Sequence, residues 1–200
     1  MKGILQAIGV VALVLCAAGG PARADELPAP AIVNTRYLLR DTGGQVVSTD
    51  SFAGRFQLLA FGYTACEEVC PVTLTTIGLV LQKLGEHAAR IQAIFISVDS
   101  IHDTPASLGA YLTHFDSRIV GLTGPAEFVH SAAEHFHVIV KETPGADAGD
   151  YVIDHTAGYY VLGRDGEFLG RLPYGMAAEE IAERVRKLVV TPVSEPLPNL

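Results

Sequence analysis

The chain has little of what several partner classes would require. It carries 14 lysines and arginines against 22 acidic residues, a formal net charge of −8. No basic patch is available to neutralise phosphates, which argues against a nucleic-acid partner. The balance suits a soluble protein able to meet a basic surface. No internal repeat divides the 200 residues, which are enough for one sizeable domain and too few for two comfortable ones. Long apolar runs are also scarce. The run at 4–18 is short of the roughly 20 apolar residues that a membrane span needs. Cysteine is rarest of the reactive residues, with three in the chain.

The N terminus has its own logic. Lys2, the apolar run and the small residues Ala22 and Ala24 lay out a secretory signal peptide with an A-x-A cleavage site. Cleavage after Ala24 is expected, which places the mature chain in the periplasm. An uncleaved segment would instead tether it to the membrane. Cys16 then leaves with the signal. Leu15 stands before it, where a lipoprotein signal usually has a small residue. The Pro-rich stretch 25–34 reads as a leader, and 191–200 as a loosely ordered, flexible C-terminal tail.

Between these ends, apolar runs alternate with helical patterns. "FQLLAF" and "IQAIFISV" are almost continuously apolar, as strands buried on both faces are. Residues 72–84 read as a helix stopped by Gly85. "DTPASLGAYLTHF" opens a second helix, with Thr104 as N-cap and Pro105 at the first helical position. "GPAEFVHSAAEHF" repeats the device with Pro125. Two strand-like runs flank the tight turn Arg164-Asp165-Gly166, and an amphipathic helix over about 177–189 follows. The alternation predicts an α/β layer fold.

After signal removal two cysteines remain, Cys66 and Cys70, in "FGYTACEEVCP". A bridge between them would close a tiny loop and remove little chain entropy, so stability alone is a poor reason for the pair. The pair follows a buried strand and opens a helix, where ligands and chemistry collect in parallel sheets. A helix N-terminus lowers a thiol pKa, and the thiolate is both the nucleophile and the metal ligand. Residues four apart on a helix share a face, so two thiolates can converge on one ion. Such a soft pair prefers Cu(I) or zinc. Two ligands leave a site incomplete. His155, in "VIDHTAGYY" before a strand at 159–162, is the best third candidate. His130, His135 and His137 are expected on one helix and form a weaker metal candidate, while His87, His102 and His114 read as exposed positions.

"FGYTACEEVCP", "ISVDSIHDTPASLGAYL", "GLTG" and "YVIDHTAGYYVLGRDGEFL" stand in the order found in the Sco/SenC copper proteins, which help to assemble cytochrome c oxidase. The chain resembles that family over roughly residues 30–190. The resemblance implies a thioredoxin-like fold with an inserted β-hairpin. It implies one copper ion, Cu(I) or Cu(II), held by Cys66, Cys70 and His155. It also implies delivery to the dicopper centre of oxidase subunit II or to another copper protein. Family members commonly carry Pro-Asp after the first cysteine. Here Glu67 and Glu68 stand there, and like-charge repulsion from them is expected to raise the thiol pKa slightly. Asp99 and Asp103 lie after the second buried strand. They either shape the copper loop and partner surface or, for Asp103, support the helix start at Thr104.

Three activities fit the motif. A metallochaperone needs all three ligands. A thiol–disulfide oxidoreductase that keeps a partner's copper-binding cysteines reduced needs only Cys66 and Cys70. A peroxidase needs one low-pKa cysteine and has no use for His155.

Overall fold

The computed structural model describes residues 35–144, 151–191 and 200. The expected signal peptide, the leader and positions 192–199 of the tail lie outside the described residues. The two apolar runs form β3 (Phe56–Gly62) and β4 (Ile91–Ser97), every residue of which is buried. They pair in parallel from Phe56↔Ile91 to Gly62↔Ser97. β5 (Ile119–Thr123) continues the parallel set beside β4. β1 (Leu38–Asp41) and β2 (Val46–Ser48) extend the sheet antiparallel on one side, and β8 (Gly158–Leu162) and β9 (Phe168–Pro173) on the other. The resulting order is β2-β1-β5-β4-β3-β8-β9. A separate hairpin pairs β6 (Val140–Pro144) with β7 (Tyr151–His155).

Side chains of a strand alternate between faces, so a doubly buried sheet needs cover on both. Leu58, Ala60, Phe95 and Tyr159 face α1 (Val69–Leu84), α2 (Pro105–Leu112) and α4 (Ala178–Val190), which contribute Leu74, Ile77, Leu108, Ile181 and Val185. Leu59, Phe61, Ile94, Ile96 and Tyr160 face α3 (Ala126–His135) and Ile153 of the hairpin. Cys66 packs against both cores, because it sits where β3 runs out and the two layers meet. No helix among the described residues is long and apolar enough to cross a membrane.

Several local expectations shift. α1 starts at Val69, three residues before the expected 72, and so takes Cys70 into its first turn. Gly85 ends it with φ 56, a left-handed conformation that glycine adopts at little cost. Thr104 caps α2 as expected, its hydroxyl accepting from the Ser107 amide at 3.1 Å. Pro125 is the N-cap of α3 rather than its first helical residue, and its carbonyl accepts from Phe128 and Val129. His137 is not on the helix with His130 and His135. It lies beyond the end of α3 with φ 53, which breaks the shared face the expected cluster required.

Candidate metal centre

The site is built at the carboxyl end of β3. Gly62 must lack a side chain there. A Cβ would lie 2.6 Å from the Cys70 sulfur and 2.7 Å from the Phe95 ring. The chain then turns, with the Cys66 amide donating to the Tyr63 carbonyl at 3.3 Å, and enters α1. Glu68, the N-cap of α1, offers no side-chain cap, so the first amides of the helix need another acceptor. The Cys66 sulfur supplies it. The Cys70 amide donates to that sulfur at 3.4 Å.

Both thiols are free. A hydrogen bond from the Cys70 thiol, then the amides of Cys70, Glu68 and Val69, outweigh burial and hold the Cys66 thiol down at about 5. The same bond to Cys66, with burial, pushes the Cys70 thiol far up. The pair is therefore split at neutral pH. Cys66, half-buried, is a thiolate, and Cys70, at 1% exposure, is its proton donor. The rise expected from Glu67 and Glu68 is not what Cys66 displays. Both glutamates are exposed, and the Glu68 backbone amide acts in the opposite sense.

His155 ends β7 opposite Val140. Thr156 fastens the base of the hairpin, its amide donating to the Ile139 carbonyl and its hydroxyl accepting from the Ile139 amide, each at 3.0 Å. His155 Nδ1 lies 3.3 Å from the Thr156 carbonyl. A proton on Nδ1 donates to that carbonyl and leaves the Nε2 lone pair for a ligand. Burial lowers the His155 pKa, while Cys66 acts on the ring in the opposite sense. Tyr63 stands between the cysteine loop and the hairpin. Its ring meets His155 edge-on at 6.3 Å, and its hydroxyl accepts from the Ile153 amide at 3.3 Å. Among the described residues, no three His, Cys, Asp or Glu side chains converge into a metal cage. The sulfur pair is assembled at the start of α1, and His155, at the end of β7, meets the Tyr63 ring of the loop that leads to it.

Sequence reasoning flagged Asp99 and Asp103 but not what they grip. Asp103, 2% exposed, accepts from the Thr64 amide at 2.9 Å, the Thr64 hydroxyl at 2.5 Å and the Ser97 hydroxyl at 2.6 Å. It ties the cysteine loop to the end of β4. Asp99 accepts from the amides of Ile101 and His102, the His102 ring and the Tyr151 hydroxyl. Burial would raise its carboxyl, but the bonds from Tyr151 and His102 prevail and hold it below the usual carboxylate range. The exposed His102 ring stacks on Tyr151 with centroids 4.5 Å apart. Tyr63, Thr64, Ser97 and Tyr151 lie inside the quoted motifs, but what each side chain does is revealed only by its neighbours in space.

A sequence profile of the SCO1/SenC family matches residues 25–190. The chain belongs to the SCO1/SenC family. The bovine mitochondrial SCO2 homologue is 32% identical over 167 residues, covering 82% of this chain and 63% of that protein. The copper-bound ScoI of Bradyrhizobium japonicum is 38% identical, with TM-score 0.70 over 76% of this chain and 96% of its own. Copper-bound yeast Sco1 is 28% identical, with TM-score 0.73 over 80% of this chain and 89% of its own. The fold is the expected thioredoxin-like one, with β6 and β7 as the added hairpin of this Sco chain.

Proposed function

We propose that this Sco protein binds one copper ion through Cys66, Cys70 and His155. It hands the ion to a partner copper protein, the dicopper centre of cytochrome c oxidase subunit II, in the periplasm. The observation that carries this reading is the placement of two free thiols at the start of α1, Cys66 part-exposed, beside a loop whose Tyr63 ring meets His155 edge-on. Copper is the cargo. Two sulfurs favour Cu(I), and a borderline imidazole extends the set to Cu(II). Cys66 offers its charge at neutral pH without prior deprotonation. Cys70 releases its one proton to solvent as the ion enters. The part-exposed position of Cys66 leaves a side from which an acceptor's thiolates can attack the ion. The solved copper-bound relatives support the reading.

The test is metal analysis of the chain beginning at Asp25, reduced and then oxidised at Cys66 and Cys70. One copper per chain is expected when reduced and a large loss when oxidised, because a disulfide offers no thiolate. Undiminished Cu(I) binding after oxidation would overturn the site.

A second reading rests on the same split pair. The Cys66 thiolate attacks a partner's disulfide and forms a mixed disulfide, releasing one partner thiolate. Cys70 then loses its proton and attacks Cys66. The products are a Cys66–Cys70 disulfide and two reduced partner cysteines. This keeps a copper acceptor's cysteines ready and is compatible with carriage.

A further inference from the structure

The Tyr63 ring that meets His155 edge-on at 6.3 Å also faces the Tyr151 ring, with centroids 6.4 Å apart and planes tilted by 36°. Tyr151 in turn stacks on the His102 ring at 4.5 Å. Side chains alternate along a strand, so Tyr151, Ile153 and His155 share one face of β7. Packing accounts for this row of rings. It does not account for the polar group that waits beside Tyr151.

The Tyr151 hydroxyl donates to the Asp99 carboxylate. Among the described residues, Tyr151 is the tyrosine whose hydrogen-bonded proton points at an anion. Tyr37 donates to the Gln57 amide oxygen at 2.7 Å, the Tyr63 oxygen accepts from the Ile153 amide, and the Tyr111 and Tyr160 hydroxyls have no hydrogen-bond partner. Asp99 is buried and held in place by the amides of Ile101 and His102 and by the His102 ring. A phenol that must keep its proton is hard to oxidise, because the radical cation left behind is a strong acid. A carboxylate already bonded to the hydroxyl removes that obstacle, since electron and proton can leave together. Tyr151 thus stands two ring contacts from the proposed ligand His155 with its proton acceptor in place.

We propose that Tyr151 is a one-electron donor that spares the cysteine sulfurs when hydrogen peroxide meets the copper-loaded chain. This rests on the copper-carrier reading. Reductive cleavage of the O–O bond needs two electrons. The Cu(I) cargo gives one and becomes Cu(II). Tyr151 gives the other across the Tyr63 ring, and its proton moves along the existing bond to Asp99. The peroxide ends as two hydroxide ions, Asp99 as a carboxylic acid and Tyr151 as a neutral tyrosyl radical. Without Tyr151 the second electron is drawn from the sulfurs that hold the ion, which starts them up the ladder of cysteine oxidation.

The experiment loads wild type, Tyr151→Phe and Tyr174→Phe with Cu(I), verifies the load by metal analysis, adds equimolar hydrogen peroxide and freezes each sample for electron paramagnetic resonance. Tyr174 is an exposed tyrosine with no place in the row and serves as the control. Wild type and Tyr174→Phe should show an organic radical beside Cu(II), with a line shape that changes when the tyrosine rings are deuterated. Tyr151→Phe should lack that radical. Mass mapping should find several-fold more sulfinic and sulfonic acid at Cys66 and Cys70 in Tyr151→Phe than in wild type. A radical that survives Tyr151→Phe, or equal sulfur oxidation in the two chains, overturns the inference and leaves the copper site intact. Wild type that takes up no Cu(I) removes the carrier reading, and this inference with it.

Discussion

The Cys70 amide donates to the Cys66 sulfur across 3.4 Å, so one thiol of the pair acts as the cap of the helix that carries the other. A helix N-terminus with no capping oxygen directs its free amides at the nearest acceptor, and here that acceptor gains by being negative. The asymmetry of the pair follows from the hydrogen bond between the two thiols, from the deeper burial of Cys70 and from this contact.

The first consequence is a pH profile. Alkylation of the reduced chain at Cys66 should follow thiolate formation with a midpoint at about 5, well below the ordinary value of 9.0. Cys70 should stay unmodified throughout the range in which the chain remains folded. Mass mapping after a short pulse with iodoacetamide separates the two. A midpoint at the ordinary thiol value would refute the capping role of Cys66.

Asp103→Asn removes a charged acceptor from a buried set and turns an amide donor group toward Thr64 and Ser97. The loss should be about 1–3 kcal/mol of stability, as for a buried hydrogen-bonded charge left mismatched. Denaturant unfolding measures it. Copper affinity should fall as well, because Thr64 no longer holds the loop that carries Cys66. An unchanged midpoint would show that Asp103 does not fasten the loop.

Tyr151→Phe cuts the bond from the hairpin to Asp99 while keeping the ring against His102. β7 carries Tyr151 at one end and His155 at the other. The variant should bind Cu(II), the form that needs the imidazole, several-fold more weakly. Its exchange with a dithiol reagent should be unaltered, since the cysteines do not depend on the hairpin. Equal loss of both properties would point to general unfolding instead.

Gly62→Ala tests the crowding behind the pair. The new methyl would meet the Cys70 sulfur and the Phe95 ring at once. Overpacking of this kind costs about 1–3 kcal/mol. The displaced sulfur should also weaken Cu(I) binding, and the two effects can be read from unfolding and chelator competition on one sample.

The sequence discloses the parts of this site that depend on local pattern. β3 and β4 are legible because strands covered on both faces are apolar without interruption. Cys66, Cys70 and His155 are legible as chemistry-bearing residues at element ends. β1 and β2 are not, because strands of four and three residues with one buried position each carry too little period. The grip of Asp103 on Thr64 spans 39 positions and that of Asp99 on Tyr151 spans 52, and no local pattern encodes contacts so distant. α1 starts three residues before the expected 72 and takes Pro71 into its first turn. The first turn tolerates proline there, as its amide would have no partner within the helix.

His155→Ala tests the central claim most directly, because copper carriage needs the imidazole and thiol exchange does not. The variant should bind Cu(I) more weakly, hold no stable Cu(II), and still exchange with a dithiol reagent at a near-normal rate. In wild type, acidification should reproduce the copper loss only below the ordinary histidine range, since burial lowers the His155 pKa and keeps the ring neutral further into acid. The deciding measurement is copper-centre assembly of cytochrome c oxidase in cells that carry the variant. Failed assembly with intact exchange is the result the account predicts, and normal assembly would contradict it and put the reductase reading first.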